Sequence, residues 1–199
     1  MLSPKNNDRG FLLHIADRLA GFGLWFSGGL ILLAACLVSY DVIARKLFNT
    51  SLGGADELSG YALAIGCAWA FPFALLQRVN VRIDALYQYM PQSLARALDV
   101  VALLVLGWFV VLLGFYGFSL VSGSFARGSM SNSQLKIALW IPQGLWFAGL
   151  AAYVFTWLGL TLRTLQALIT KDMAWLKSNI GARSIQDDAA DELDYSKSL

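Results

Sequence analysis

Four stretches of the chain hold no charged residue and are long enough to cross a bilayer: Leu19–Tyr40, Leu58–Gln77, Val100–Ala126 and Ile137–Leu162. They run 22, 20, 27 and 26 residues. At about 1.5 Å of rise per residue, roughly 20 helical residues cross the ~30 Å hydrocarbon layer. Spanning β-strands would be about 10 residues long with alternating polarity, a pattern absent from these blocks. The pattern predicts an all-α integral membrane protein with four transmembrane helices. The domain so defined covers 19–163, after an N-terminal segment at 1–18 and before a juxtamembrane helix and acidic mobile tail at 164–199.

The connecting segments carry their own signals. The first, Asp41–Glu57, opens on residues that continue the helix (Asp41-Val-Ile-Ala-Arg45-Lys46-Leu-Phe48) and breaks at Asn49-Thr-Ser51 and Gly53-Gly54, which favour turns. Asp56 is placed to cap the second helix, with Glu57 favourable in its first turn. In the second segment Ile83, Leu86, Tyr87 and Met90 fall at i, i+3, i+4 and i+7, while Arg82 and Asp84 lie off that face. A short interfacial helix between spans 2 and 3 is expected there, flanked by Arg78. The third segment, Arg127–Lys136, is rich in Gly, Ser and Asn and is expected to be a flexible loop. After the fourth span, residues 164–180 have the apolar positions of a helical extension, and the tail from Ser184 is acidic and solvated.

Charge distribution orients the helices. Eleven Lys and Arg flank the spans on the side of both termini, against four (Arg45, Lys46, Arg127, Lys136) on the other. The positive-inside rule puts both termini in the cytoplasm and the first and third loops outside. The sequence Leu33-Ala-Ala-Cys36 has the form of a short lipobox, but the apolar run continues past it and cleavage would delete the first span. An uncleaved first helix is expected. Trp25, Tyr40, Trp140, Trp146 and Trp175 sit towards span ends, where aromatic side chains anchor. The deeper Trp69, Trp108 and Trp157 are expected on lipid-facing or inter-subunit surface.

Composition then removes most chemistry. Charged residues make up 14% of the chain, against the roughly 25% of a soluble domain, which argues against a soluble enzyme. One histidine and two cysteines, Cys36 and Cys67, are too few for a bis-histidine haem, a structural zinc site or a disulfide framework. No ionisable residue lies within the four stretches, so the proton relays and ion pathways that such residues mark have no candidate. His14 has no Ser or Cys partner nearby, and no phosphate-binding glycine loop is present. No catalytic residue, cofactor, metal site or nucleic-acid partner is expected. Ala62, Gly66, Ala70 and Ala74 recur every fourth residue, a stripe that lets another backbone approach closely, from this bundle or from a partner protein.

The order of residues from Asp41 to Pro91 resembles the small, DctQ-like membrane subunit of tripartite ATP-independent periplasmic (TRAP) transporters. The resemblance rests on Arg45-Lys46-Leu-Phe-Asn49, the acidic pair Asp56-Glu57 opening the second span, the small-residue helix Gly66-Cys-Ala-Trp69-Ala70, and Gln77-Arg78-Val-Asn80-Val-Arg82-Ile83-Asp84. Gly54 and Asn80 stand where that family often has Trp and His. The resemblance implies an accessory scaffold in the bacterial inner membrane, without catalysis, supporting a large elevator-type subunit. That subunit would import, with sodium, an organic acid delivered by a periplasmic binding protein. Arg45, Asp56 and Glu57 would then order the external loop near the binding protein, and Arg78, Arg82 and Asp84 would organise the interfacial helix. A different class, a free-standing four-helix protein that binds or modifies a lipid-like molecule, requires polar groups converging inside the bundle. Ser27, Ser39, Ser59, Gln143, Thr156 and Thr161 are the few candidates, each expected to bond its own helix backbone.

Overall fold

The computed structural model describes residues 11–77, 91–133 and 135–170. Among the described residues there are four helices: α1 (Phe11–Phe48), α2 (Ala55–Leu76), α3 (Gln92–Ala126) and α4 (Trp140–Ile169). Each is long and apolar enough to cross a membrane, as the charge-free stretches require. The expected interfacial helix, with Arg78, Arg82 and Asp84, lies outside the described residues, as does the tail.

At 22 residues α2 is about the thickness of the hydrocarbon layer, whereas α1 has 38, α3 35 and α4 30. The longer helices continue past the charges that bound their apolar stretches. α1 already begins at Phe11, because Leu13, Ala16 and Ala20 share one face and are all buried. Leu13 packs on Gly159 of α4, 3.6 Å from where a β-carbon there would sit. At its other end Arg45 and Lys46 occupy the last turn, complementing the helix dipole. The chain leaves α1 through Asn49 and Gly53, both in the left-handed region (φ 53° and 67°), as the turn-forming residues there predict.

α1, α2 and α4 pack against one another, and α3 packs chiefly on α4. Small residues set these contacts. A β-carbon on Gly23 of α1 would fall on the Trp69 carbonyl oxygen of α2. One on Gly149 of α4 would stand 2.9 Å from the Ala68 backbone of α2. The core runs through Leu13, Leu75, Leu103, Val110, Tyr153, Leu160 and Ala167. The hydroxyls of Thr156 and Thr164, both buried, donate to the carbonyls of Ala152 (2.9 Å) and Leu160 (2.7 Å) one turn earlier, so they cost no unsatisfied donor. Thr161 departs from that expectation, since its buried hydroxyl has no hydrogen-bond partner among the described residues.

Two indoles expected on outward surface instead turn inward, and both do so by one device. Trp69 Nε1 donates to the Leu145 carbonyl (3.0 Å), and Trp157 Nε1 donates to the Leu103 carbonyl (2.8 Å). Four residues after each acceptor stands a glycine, Gly149 and Gly107, and a β-carbon on either would press into the same indole. In a helix the side chain at i+4 lies over the carbonyl at i; glycine there leaves that oxygen open to a second donor from a neighbouring helix. The indole N–H would otherwise be unsatisfied among apolar groups. Phe22 and Phe26 of α1 meet the Trp69 ring edge-on, at 5.9 and 5.4 Å between centroids. Trp108, by contrast, is exposed on the outward side of α3, as expected. Trp69→Phe keeps one aromatic ring against Phe22 and Phe26 and removes the N–H donor with the five-membered ring. It should lower the stability of the detergent-solubilised protein by about 1 kcal/mol, read from an unfolding midpoint.

Candidate functional site

Polar chemistry concentrates where α1 ends, α2 begins and α3 joins α4. At its centre is Asp41, only 2% exposed, on the first turn beyond the charge-free part of α1. Its Oδ1 accepts from the Leu52 N–H (2.7 Å) and the Ser51 hydroxyl (2.9 Å), and its Oδ2 accepts from the Arg45 guanidinium one turn later. The Ser51 oxygen in turn accepts from the Gly53 N–H at 3.2 Å. One carboxylate thus fastens the whole return of the chain from α1 to α2. The Leu52 amide above all, then the Ser51 hydroxyl and Arg45, hold the Asp41 carboxyl below the usual carboxylate range, outweighing the cost of removing it from water.

Arg45 therefore turns to Asp41 on its own helix, and the acidic pair of α2 is used differently. Gly54 occupies the N-cap of α2 with no side-chain cap, and Asp56 and Glu57 lie inside the first turn. Asp56 is exposed, and its backbone carbonyl accepts from the Ser59 hydroxyl at 2.9 Å. Glu57 Oε1 accepts from the Tyr61 hydroxyl one turn on. The Ser131 and Ser133 hydroxyls of the third loop stand near the same carboxylate and, with Tyr61, hold it below its ordinary pKa. Neither serine reaches bonding geometry with Oε2, which is buried and has no hydrogen-bond partner among the described residues.

The third loop, expected to be flexible, is folded. Met130 and Ala138 form an antiparallel bridge, the Ser131 N–H donates to the Ile137 carbonyl (2.8 Å), and the Leu139 N–H donates to the Ser129 carbonyl (3.0 Å). Inside that ring the Ser131 hydroxyl donates to Ser133 Oγ (3.0 Å), which also accepts from the Leu135 N–H (3.1 Å). The Leu135 side chain lies directly over Gly54, where a β-carbon would overlap it. Serines that suggested mobility in the sequence serve as internal hydrogen-bond partners, and the third loop closes over the start of α2. Tyr61→Phe removes the hydroxyl donor to Glu57. Amide exchange across Ser131–Leu139 should speed up several-fold while the Leu52 amide keeps its rate, a contrast readable by hydrogen–deuterium exchange.

Of the small-residue stripe, Gly66 is buried against α1: a β-carbon there would lie 3.3 Å from Ile31 Cγ1 and 3.4 Å from Ser27 Oγ. Ala62, Ala70 and Ala74 are half-buried on the same helix. The signals that sequence reasoning passed over were Asp41 four residues before Arg45, Tyr61 four after Glu57, and the glycines matched to Trp69 and Trp157. Among the described residues no group of three or more His, Cys, Asp or Glu is placed to hold a metal ion. What the arrangement does chemically is to pair Asp41 with Arg45 and to tie Glu57 to Tyr61, leaving a folded polar cap on helices whose central stretches hold no charge.

The sequence model of the DctQ component of tripartite ATP-independent periplasmic transporters matches residues 34–167, from the second half of α1 through nearly all of α4. The chain belongs to the DctQ family. Neither curated proteins nor solved structures give a match. As a DctQ component, it is the small multi-pass membrane component of a TRAP transporter, one part of a three-part machine. The matched stretch includes Asp41, Arg45, Asp56, Glu57 and the folded third loop, so the polar cap lies within the family's domain.

Proposed function

We propose that this DctQ component is a scaffold for the large, many-helix subunit of its transporter and conducts nothing itself. In this reading the large subunit moves an organic acid with sodium ions by an elevator-like displacement. A periplasmic binding protein delivers the substrate, and the present chain widens the fixed part against which the moving part slides. The observation that carries the reading is the separation of charge: the charge-free stretches hold none, and beyond them Asp41 bonds to Arg45 and Ser51 and Glu57 to Tyr61 instead of lining a path. An ion or carboxylate crossing such a body would find no compensating group, whereas a fixed buttress needs none. The Lys and Arg distribution favours both termini in the cytoplasm of an inner membrane, with the Asp41 and Glu57 cap facing the periplasm. There Arg45, Asp56 and Glu57 would order the surface nearest the binding protein. On the opposite side Arg78, Arg82 and Asp84 would organise an interfacial helix.

The test is uptake by proteoliposomes that hold the large subunit with or without this chain, under an inward sodium gradient and with the loaded binding protein outside. Uptake should require the chain. Equal rates in its absence would remove the scaffold role.

A further inference from the structure

On α1, Trp25, Gly29, Leu32, Cys36, Ser39, Ile43 and Leu47 follow one another at intervals of four, three, four, three, four and four residues. That spacing keeps them on one helix face, opposite Ala16, Ala20, Gly23, Ser27 and Asp41, which are buried. Every residue of the outward face is exposed, the large ones heavily: Trp25 84%, Leu32 66%, Ile43 55% and Leu47 70%. A β-carbon on Gly28 or Gly29 would meet nothing within 4 Å. Each glycine costs the helix about 1 kcal/mol relative to alanine, and neither has a packing partner among the described residues to offset it.

The face is also too long for lipid alone to cover. Asp41, Arg45 and Lys46 prevent α1 from sliding further into the hydrocarbon, so the lipid boundary falls near Tyr40. Leu47 lies six residues beyond Asp41, about 9 Å along the helix, past the roughly 5–8 Å of headgroup region on each side. Bonds from Ser51 and Leu52 to Asp41 hold that protruding turn in place. A soluble partner reaches Leu47 but not Gly29, about 27 Å deeper along the helix. Lipid tails reach Gly29 but not Leu47. The outward face of α3, by contrast, is bulky (Val105, Trp108, Phe109, Phe115), and Gly107, Gly114 and Gly117 of that helix all face α4 side chains.

We propose that the Trp25–Leu47 face of α1 is the seam on which the large membrane subunit docks, its own helix packing at Gly28 and Gly29 and its protruding end covering Ile43 and Leu47. The proposal rests on the scaffold reading above and names the surface that serves it. A photo-crosslinking amino acid at Leu32 or Leu47, in membranes containing all components of the transporter, should link this chain to the large subunit. The same group at Val105 or Phe115 should do so at least about fivefold less. Links from α1 to lipid only, to the binding protein or to a second copy of this chain would overturn the seam, as would stronger links from α3. Gly29→Leu fills open space and raises helix propensity, so insertion should be unchanged while the co-purified large subunit falls at least about fivefold. Undiminished co-purification of that variant would refute the seam and leave the scaffold role standing. Failure of the unsubstituted chain to bring down any large subunit would refute both.

Discussion

Gly107→Leu is expected to part α3 from α4. The added side chain must occupy the volume of the Trp157 indole, which lies where a β-carbon on Gly107 would go. The indole cannot retreat while its N–H remains bonded to the Leu103 carbonyl, so the substitution sacrifices both that bond and the ring packing. Overpacking of this kind, added to a lost buried hydrogen bond, amounts to about 3 kcal/mol. Because α3 packs chiefly on α4, few other contacts compensate. Trp157→Phe, which removes the N–H and one ring of the indole, should lower stability by at least about 1 kcal/mol. The pair Gly107→Leu with Trp157→Ala should be less destabilised than the two single changes added together, since one vacates the volume the other fills. Unfolding midpoints in mixed detergent measure all four proteins. Strict additivity would mean that the indole and Gly107 do not share that space.

Asp41→Ala is expected to release the whole return from α1 to α2. It leaves the Leu52 N–H, the Ser51 hydroxyl and Arg45 without their common acceptor. The effect should be local: exchange of the Leu52 and Gly53 amides at least about tenfold faster, with α3 and α4 unchanged. Asp41→Asn keeps one acceptor oxygen but loses the charge, and should fall between. The pH dependence has a definite sign. A carboxyl whose folded pKa is lowered stabilises fully above its unfolded value of about 3.9, and loses that contribution as pH falls through the folded value. Loop protection, corrected for intrinsic exchange, should therefore be flat from about pH 8 to pH 5 in the unsubstituted protein. Progressive loss of protection across that range would show that another titrating group controls the loop. In the transporter, the same substitution should reduce uptake, because Ile43 and Leu47 sit on the turns that Asp41 fixes.

The four helices were legible because length without charge is a one-dimensional property, and the bilayer imposes it directly. Helix ends were less so. Arg18 interrupts an apolar run but not a helix, and Leu13 and Ala16 before it still bury against neighbouring helices. Arg163 likewise lies within α4, which continues to Ile169. Interior packing needed the third dimension: Trp69 and Trp157 read as surface aromatics until the glycines that open the Leu145 and Leu103 carbonyls are seen opposite them. The acidic pair was visible as a pair, but its partners are not adjacent in sequence, and only folding brings Ser131 and Ser133 over Glu57. Serine and glycine between two spans signal a loop equally whether it moves or closes on itself. Hydrogen bonds from Ser131 to Ile137 and from Leu139 to Ser129 decide for closure.

The most direct measurement is capture of the tagged chain from its own membranes in mild detergent, with the mass of the intact assembly and of each component determined together. The account predicts a fixed-stoichiometry complex with a membrane protein of many more spans, from which Gly29→Leu releases the small chain. A chain that emerges alone, or only with copies of itself, would contradict it.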